Sequence, residues 1–102
     1  MKIQVHSLKF DADIKLLDFI QRKIDKLETF YDRIIDADVN LRINNEGIEN
    51  KTVEIKLNIP GSQLFSKEQS SSFEQSIDQA VEALRRQLKR FKEKKRIYKV
   101  AS

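Results

Sequence analysis

The chain contains no cysteine, which removes disulfides, thiolate metal sites and cysteine nucleophiles together. Proline occurs once, at Pro60, and glycine only at Gly47 and Gly61. That leaves little room for linkers, so most residues are expected in helices and strands. No apolar run approaches the ~20 residues of a membrane span. The opening Met1-Lys2-Ile3-Gln4-Val5-His6 does not have the form of a secretory signal. The expectation is a soluble cytoplasmic protein with no membrane partner. Catalytic motifs are also missing, with no Gly-rich phosphate loop, HExxH or nucleophile elbow. The single histidine, His6, falls in a predicted strand, where such a residue is far more often packed or solvent-facing than a base or ligand. Asp11/Asp13 and Asp36/Asp38 form carboxylate pairs, but they read as cap and outward strand positions. No enzyme, cofactor, metal or small-molecule substrate is expected.

What is present is charge, and its layout is uneven. The 102 residues suit one domain, with 39% hydrophobic residues to build a core and 35% charged. The net charge of +4 hides an asymmetry. Residues 85–102 hold nine basic side chains, Arg85, Arg86, Lys89, Arg90, Lys92, Lys94, Lys95, Arg96 and Lys99, against Glu93 alone, a balance of +8. Residues 1–84 carry −4. Such a dipolar chain is suited to an acidic partner at one end.

Hydrophobic periodicity gives the elements. Ile3, Val5 and Ser7 alternate with polar neighbours as a short strand. Asp13 is a candidate N-cap. After it Leu17, Ile20, Ile24, Leu27 and Tyr31 recur at helical spacing over roughly five turns, with Leu16, Phe19 and Phe30 widening the face and Arg22, Lys23 and Lys26 outside. Ile35, Ala37, Val39, Leu41 and Ile43 then alternate as a strand, followed by turn residues Asn44-Asn45-Glu46-Gly47. Val53, Ile55, Leu57 and Ile59 form its hairpin partner, Pro60-Gly61 a turn, and residues 64–69 a shorter fourth strand. Ser72 and Gln75 fit a capping box opening a helix whose stripe is Ile77, Val81, Leu84, Leu88 and Phe91. The next position on that stripe is Lys95, so burial is expected to end near Phe91, with any continuation in solvent. Strands with one apolar side call for helices on a single face. The fold predicted is α+β, a two-layer βαβββα domain over residues 1–96: a four-stranded mixed sheet under two helices, the first two strands parallel through a right-handed crossover. Residues 97–102 are expected as a short C-terminal tail.

On the last helix the cations fall in two bands flanking the apolar stripe, at ~100° per residue. Arg85, Lys89, Lys92 and Arg96 lie on one side; Arg86, Arg90 and Lys94 lie on the other. A helix basic on both flanks is suited to a groove between RNA phosphates, and Arg22, Lys23 and Lys26 would extend the surface. Charge alone equally fits a solvated helix face, and a protein adaptor with an acidic partner is a further reading. Phe10, Phe19, Phe30, Tyr31, Phe65 and Phe73 read as core or element ends rather than as a stacking platform on the sheet, which speaks against single-strand base readout of the RRM kind.

A family resemblance adds to this. Residues 77–94, Ile77-Asp78-Gln79-Ala80-Val81-Glu82-Ala83-Leu84-Arg85-Arg86-Gln87-Leu88-Lys89-Arg90-Phe91-Lys92-Glu93-Lys94, resemble the second helix of the ribosome hibernation-promoting factors, a family that includes the ribosome-associated inhibitor and the so-called sigma-54 modulation protein. Lys23-Ile24-Asp25-Lys26-Leu27-Glu28-Thr29-Phe30-Tyr31-Asp32-Arg33-Ile34-Ile35 is similar to the end of their first helix, and Ile59-Pro60-Gly61 to their turn before the fourth strand. The resemblance runs over about residues 2–96. It implies the same βαβββα fold and binding to the small ribosomal subunit and its rRNA, in the channel used by mRNA and tRNA. Translation would be blocked and idle ribosomes preserved in stationary phase or starvation. Family positions that face rRNA correspond here to Lys23, Lys26, Arg86, Lys89, Arg90 and Lys94; Arg22, Arg85 and Lys92 join them from the charge pattern. Two departures are visible: Ala83 stands where the family commonly has lysine, and Ser72-Phe73-Glu74 replaces its usual Asp-Met/Leu-Tyr. The chain looks like a short form, which would need a separate ribosome-dimerising factor to pair ribosomes. The alternative is a general binder of structured or double-stranded RNA.

Overall fold

The computed structural model describes residues 1–44 and 47–101, with the side chains of the last helix described through Lys94. The elements in chain order are β1 (Lys2–Leu8), α1 (Ile14–Asp25), a 3-10 turn (Lys26–Thr29), β2 (Asp36–Ile43), β3 (Lys51–Ile59), β4 (Ser62–Ser70) and α2 (Phe73–Ala101). The expected βαβββα order holds. The sheet runs β1-β2-β3-β4, with β1 parallel to β2 and the remaining pairs antiparallel.

Asp13 caps α1: its carboxylate accepts from the Leu16 amide at 2.8 Å, satisfying one of the free donors of the first turn. The five-turn α-helix expected here is shorter, because after Asp25 the backbone tightens into the 3-10 turn. A 3-10 turn advances fewer residues per turn than an α-helix, and this changes which residues beyond Asp25 face inward. Leu16, Ile20, Ile24 and Leu27 are buried, and Tyr31 turns in behind them. Leu17 and Phe30, both expected on the apolar face, are 38% and 42% exposed. The Tyr31 amide closes the segment on the Leu27 carbonyl at 3.1 Å.

In the sheet, Ala37, Val39 and Leu41 of β2 stand opposite Leu57, Ile55 and Val53 of β3, and all six are buried on the helix side. Ile35 and Ile43, read from sequence as part of this row, lie at its ends and are exposed. The β3–β4 turn needs a positive φ, and Gly61 supplies it at 75°. β4 is longer than its apolar residues suggested. Its inward row is Leu64, Ser66, Glu68 and Ser70, with Leu64 its one large hydrophobic, and Phe65 lies on the opposite face. Asn45 and Glu46 of the expected turn after β2 lie outside the described residues.

Serine also fastens α2 to the sheet. Ser76 donates to the Lys51 carbonyl at 2.7 Å and shares a 2.7 Å hydrogen bond with Ser70. Ser72 caps the helix by accepting from the Gln75 amide at 3.2 Å. The reciprocal half of a capping box is absent, since the Ser72 amide donates to Ser70 Oγ instead. From there Ile77, Ala80, Leu84 and Leu88 are fully buried, while Val81 and Phe91 pack at the margin of the core. Lys92, Glu93 and Lys94 are exposed, in keeping with burial ending at Phe91. The backbone of residues 97–101 continues α2. No helix among the described residues is long and apolar enough to cross a membrane.

Candidate nucleic-acid interface

α1 and α2 lie side by side over the sheet, and their polar flanks meet. Lys23 Nζ of α1 pairs with Asp78 Oδ1 of α2 at 2.9 Å and also lies 5.4 Å from the Phe19 ring centroid. Further along, Lys92 Nζ donates to the Phe30 carbonyl at 2.7 Å, and the Arg85 guanidinium stands over the Phe30 ring at 5.7 Å. Residues 78, 85 and 92 are seven apart, two helical turns each, and so share one flank of α2. That flank therefore faces α1 and the 3-10 turn. Arg86, Arg90 and Lys94 occupy the other flank, on the side where Gln87 reaches the Phe65 carbonyl of β4 at 2.8 Å. The two cationic bands of α2 thus point in different directions, one into the seam between the helices and one along the β4 side.

The candidate residues divide by what holds them. Lys23 is tied to Asp78, and Lys92 to a carbonyl. Arg85 is tied most firmly, its Nη2 2.5 Å and its Nε 3.0 Å from the Glu82 carboxylate. The hydrogen bond from Arg85 holds the Glu82 carboxyl below its ordinary range, with the charges of Arg85 and Arg86 acting in the same direction. Glu82 in turn raises the Arg85 guanidinium further above its usual value. Arg22, Lys26, Arg86, Lys89, Arg90 and Lys94 are exposed and form no ion pair among the described residues. Arg86 borders a surface depression that also includes Glu68, Asp78, Gln79 and Glu82, so acidic groups lie close to its base. The side chains of Lys95, Arg96 and Lys99 lie outside the described residues.

Two placements escaped the sequence. Phe65, expected as core or an element end, sits by register on the outer sheet face opposite Lys56 and is 49% exposed. Phe30 is the aromatic on the helix side that reaches solvent. The signal for both was hydrophobicity alone, which does not tell a core ring from a surface ring. On the outer face Arg42 and Lys67 converge on Glu54 at 2.7 and 3.9 Å, leaving that layer of mixed sign. His6 is exposed on β1. No group of three or more His, Cys, Asp or Glu among the described residues is placed to hold a metal ion.

Two helices over a mixed sheet, with cations on their outward sides that are unpaired among the described residues, make this a small α+β domain with a basic helical layer. Comparison with known proteins places it further. The chain belongs to the family described as sigma 54 modulation protein / S30EA ribosomal protein, whose model matches residues 3–96. It is 34% identical over 79 residues to a ribosome hibernation promotion factor of Deinococcus radiodurans, covering 74% of this chain and 40% of that one. A Bacillus subtilis protein of the same name is 29% identical over 94 residues, covering 92% and 50%. A ribosome hibernation promoting factor of Pseudomonas putida is 28% identical, covering 92% and 89%. The chain therefore spans half or less of the length of the first two relatives and nearly all of the third. Among solved structures, the N-terminal domain of Thermus thermophilus Protein Y superposes with a TM-score of 0.79 at 25% identity, covering 89% of this chain and 99% of that one. A ribosomal subunit interface protein from Coxiella burnetii superposes at 0.83 with 22% identity, covering 91% and 99%, and shares the fold.

Proposed function

We propose that this protein binds the small ribosomal subunit through rRNA phosphates, occupying the mRNA and tRNA channel so that translation stops and idle ribosomes are preserved. It acts by occupancy, without catalysis. The observation that carries this reading is the set of exposed, unpaired cations on two adjacent helices: Arg22, Lys26, Arg86, Lys89, Arg90 and Lys94. Phosphates attract such a surface through Coulomb energy and the release of condensed counterions. The likeness to ribosome hibernation factors supports the ribosome as the partner. The −4 carried by residues 1–84 repels RNA and so favours approach with α2 leading.

Cosedimentation tests the reading. Wild-type protein is expected to pellet with small subunits even in excess duplex RNA, and to inhibit translation of an added message. If ~6 phosphates are neutralised, log affinity falls against log salt with a slope of about −4 to −5. Arg86→Glu/Arg90→Glu, both at exposed positions, is expected to fold normally and stay in the supernatant. Loss of wild-type pelleting to duplex competitor would instead favour a general binder of double-stranded RNA.

A further inference from the structure

Phe30 is placed unlike the other aromatics among the described residues. It follows the 3-10 turn that ends the α1 segment and is 42% exposed. Both its main chain and its ring are held by cations from α2: Lys92 Nζ sits 2.7 Å from its carbonyl, and the Arg85 guanidinium 5.7 Å from its ring centroid. Its neighbour Tyr31 is buried, edge-on to Phe91 at 5.8 Å. Phe65 is exposed too, but on the outer sheet face, in a row with Asp38 and Lys56 where charges alternate in sign. Among the described aromatics, Phe30 is the one that joins 42% exposure to two cations, one on its carbonyl and one over its ring.

That combination selects a ligand chemistry. An apolar protein segment would gain one ring and have to desolvate Lys92 and the Arg85–Glu82 pair beside it. A nucleotide brings a flat base for the ring and an anion for the cations, and base–aromatic stacking tolerates any base. We infer that Phe30 is the stacking site for an unpaired nucleobase of the bound RNA, with Arg85 and Lys92 placed to meet the phosphates on either side of it. This deepens the proposed function and rests on it. Phosphate contacts fix the orientation of a protein on RNA but carry no sequence information and recur along the whole backbone. An unpaired base is found only where the RNA fold leaves one, so a stacking ring would favour that place among the many phosphates.

The chain has no tryptophan, so Phe30→Trp installs a single indole reporter. Its emission is expected to be quenched, and shielded from acrylamide, when purified small subunits are added. Phe30→Leu keeps the apolar bulk and removes the π-face. It is expected to weaken subunit binding about ten-fold while leaving the salt slope unchanged, because no phosphate contact is lost. Phe30→Tyr is expected to bind as wild type does. A shallower slope in Phe30→Leu would mean that Arg85 had merely been misplaced, which overturns the stacking role. Indole emission indifferent to bound subunits overturns it as well, whether or not the leucine variant folds. If Phe30→Leu binds at full strength while Arg86→Glu/Arg90→Glu does not, the stacking site is wrong and the basic surface stands. If the charge-reversed variant also binds, the reading beneath both falls.

Discussion

Residues 73–88 of α2 and the turns that follow them belong to one helix but serve different ends. In the first part Phe73, Ile77, Ala80, Leu84 and Leu88 are buried. The acidic residues there, Glu74, Asp78 and Glu82, lie nearer the positive end of the helix dipole, and two of them are already engaged by Lys23 and Arg85. Beyond Leu88 the exposed charges described are Lys89, Arg90, Lys92, Glu93 and Lys94, and only Lys92 has a bonded partner, an uncharged carbonyl. Apart from Arg86, which is exposed and unpaired near its end, the first part is neutralised and packed; the second is left charged at a cost in self-repulsion that folding does not require. If the exposed cations bind RNA as proposed, stability and binding are separated along a single element and are separable by mutation.

The largest effects should fall on opposite readouts. Leu84→Ala removes a fully buried side chain and leaves a cavity, so a loss of ~2–5 kcal/mol in unfolding free energy is expected by denaturant titration. Arg86→Glu/Arg90→Glu should stay within ~0.5 kcal/mol of wild type in the same titration. Its subunit affinity should fall by about 100-fold or more, because each charge-assisted hydrogen bond to a phosphate contributes ~1.5–3 kcal/mol. A charge-reversed variant that unfolds early would show that the exposed cations also hold the fold together. A variant that folds and still binds would show that the exposed cations are only a solvated face.

How much of this was legible depended on whether a residue's role is set by its own element. The order of elements, the parallel β1–β2 pair, the Asp13 cap and the stripe Ile77, Leu84, Leu88 are properties of local periodicity and capping, and the sequence carries them openly. The exposure of Leu17 was hidden, because Leu16 and Leu17 both stand at helical spacing from Ile20 and Ile24, and periodicity alone does not choose between them. The length of β4 was hidden by Ser66 and Ser70, which face inward without announcing it. The candidate site was legible as a list of cations and not as an arrangement. That Lys23 meets Asp78, 55 positions away, follows from how two helices pack, which no pattern within either helix encodes.

Asp78→Asn probes that hidden contact. It releases Lys23, about a third exposed, from its carboxylate. Such pairs contribute at most ~1 kcal/mol, so stability should drop slightly or not at all. RNA binding should move the other way: affinity rises a few-fold, and the salt slope steepens by about 0.7–0.9 if the freed lysine takes one more phosphate. Weaker binding would mean that the Lys23–Asp78 clasp positions the two helices for RNA, and the boundary between folding and binding halves would then have to include it.

The smallest effect is expected at Glu82. Its carboxyl is held below the ordinary value of 4.5 by the hydrogen bond from Arg85, so between the folded value and 4.5 the folded state binds fewer protons than the unfolded chain. The pair's contribution is then fully present above that range and disappears as pH falls through the folded value. Glu82→Gln should accordingly make the thermal midpoint fall less steeply between neutral and strongly acidic pH, measured by circular dichroism at low salt where an exposed pair is least screened. The same variant frees Arg85 beside Phe30, so a small rise in subunit affinity should accompany it at neutral pH. Superimposable pH profiles for glutamate and glutamine would show that Arg85 gains nothing from its partner in the free protein. It would then count with Lys89 and Arg90 among the uncommitted cations, and the dividing line along α2 would move three residues earlier.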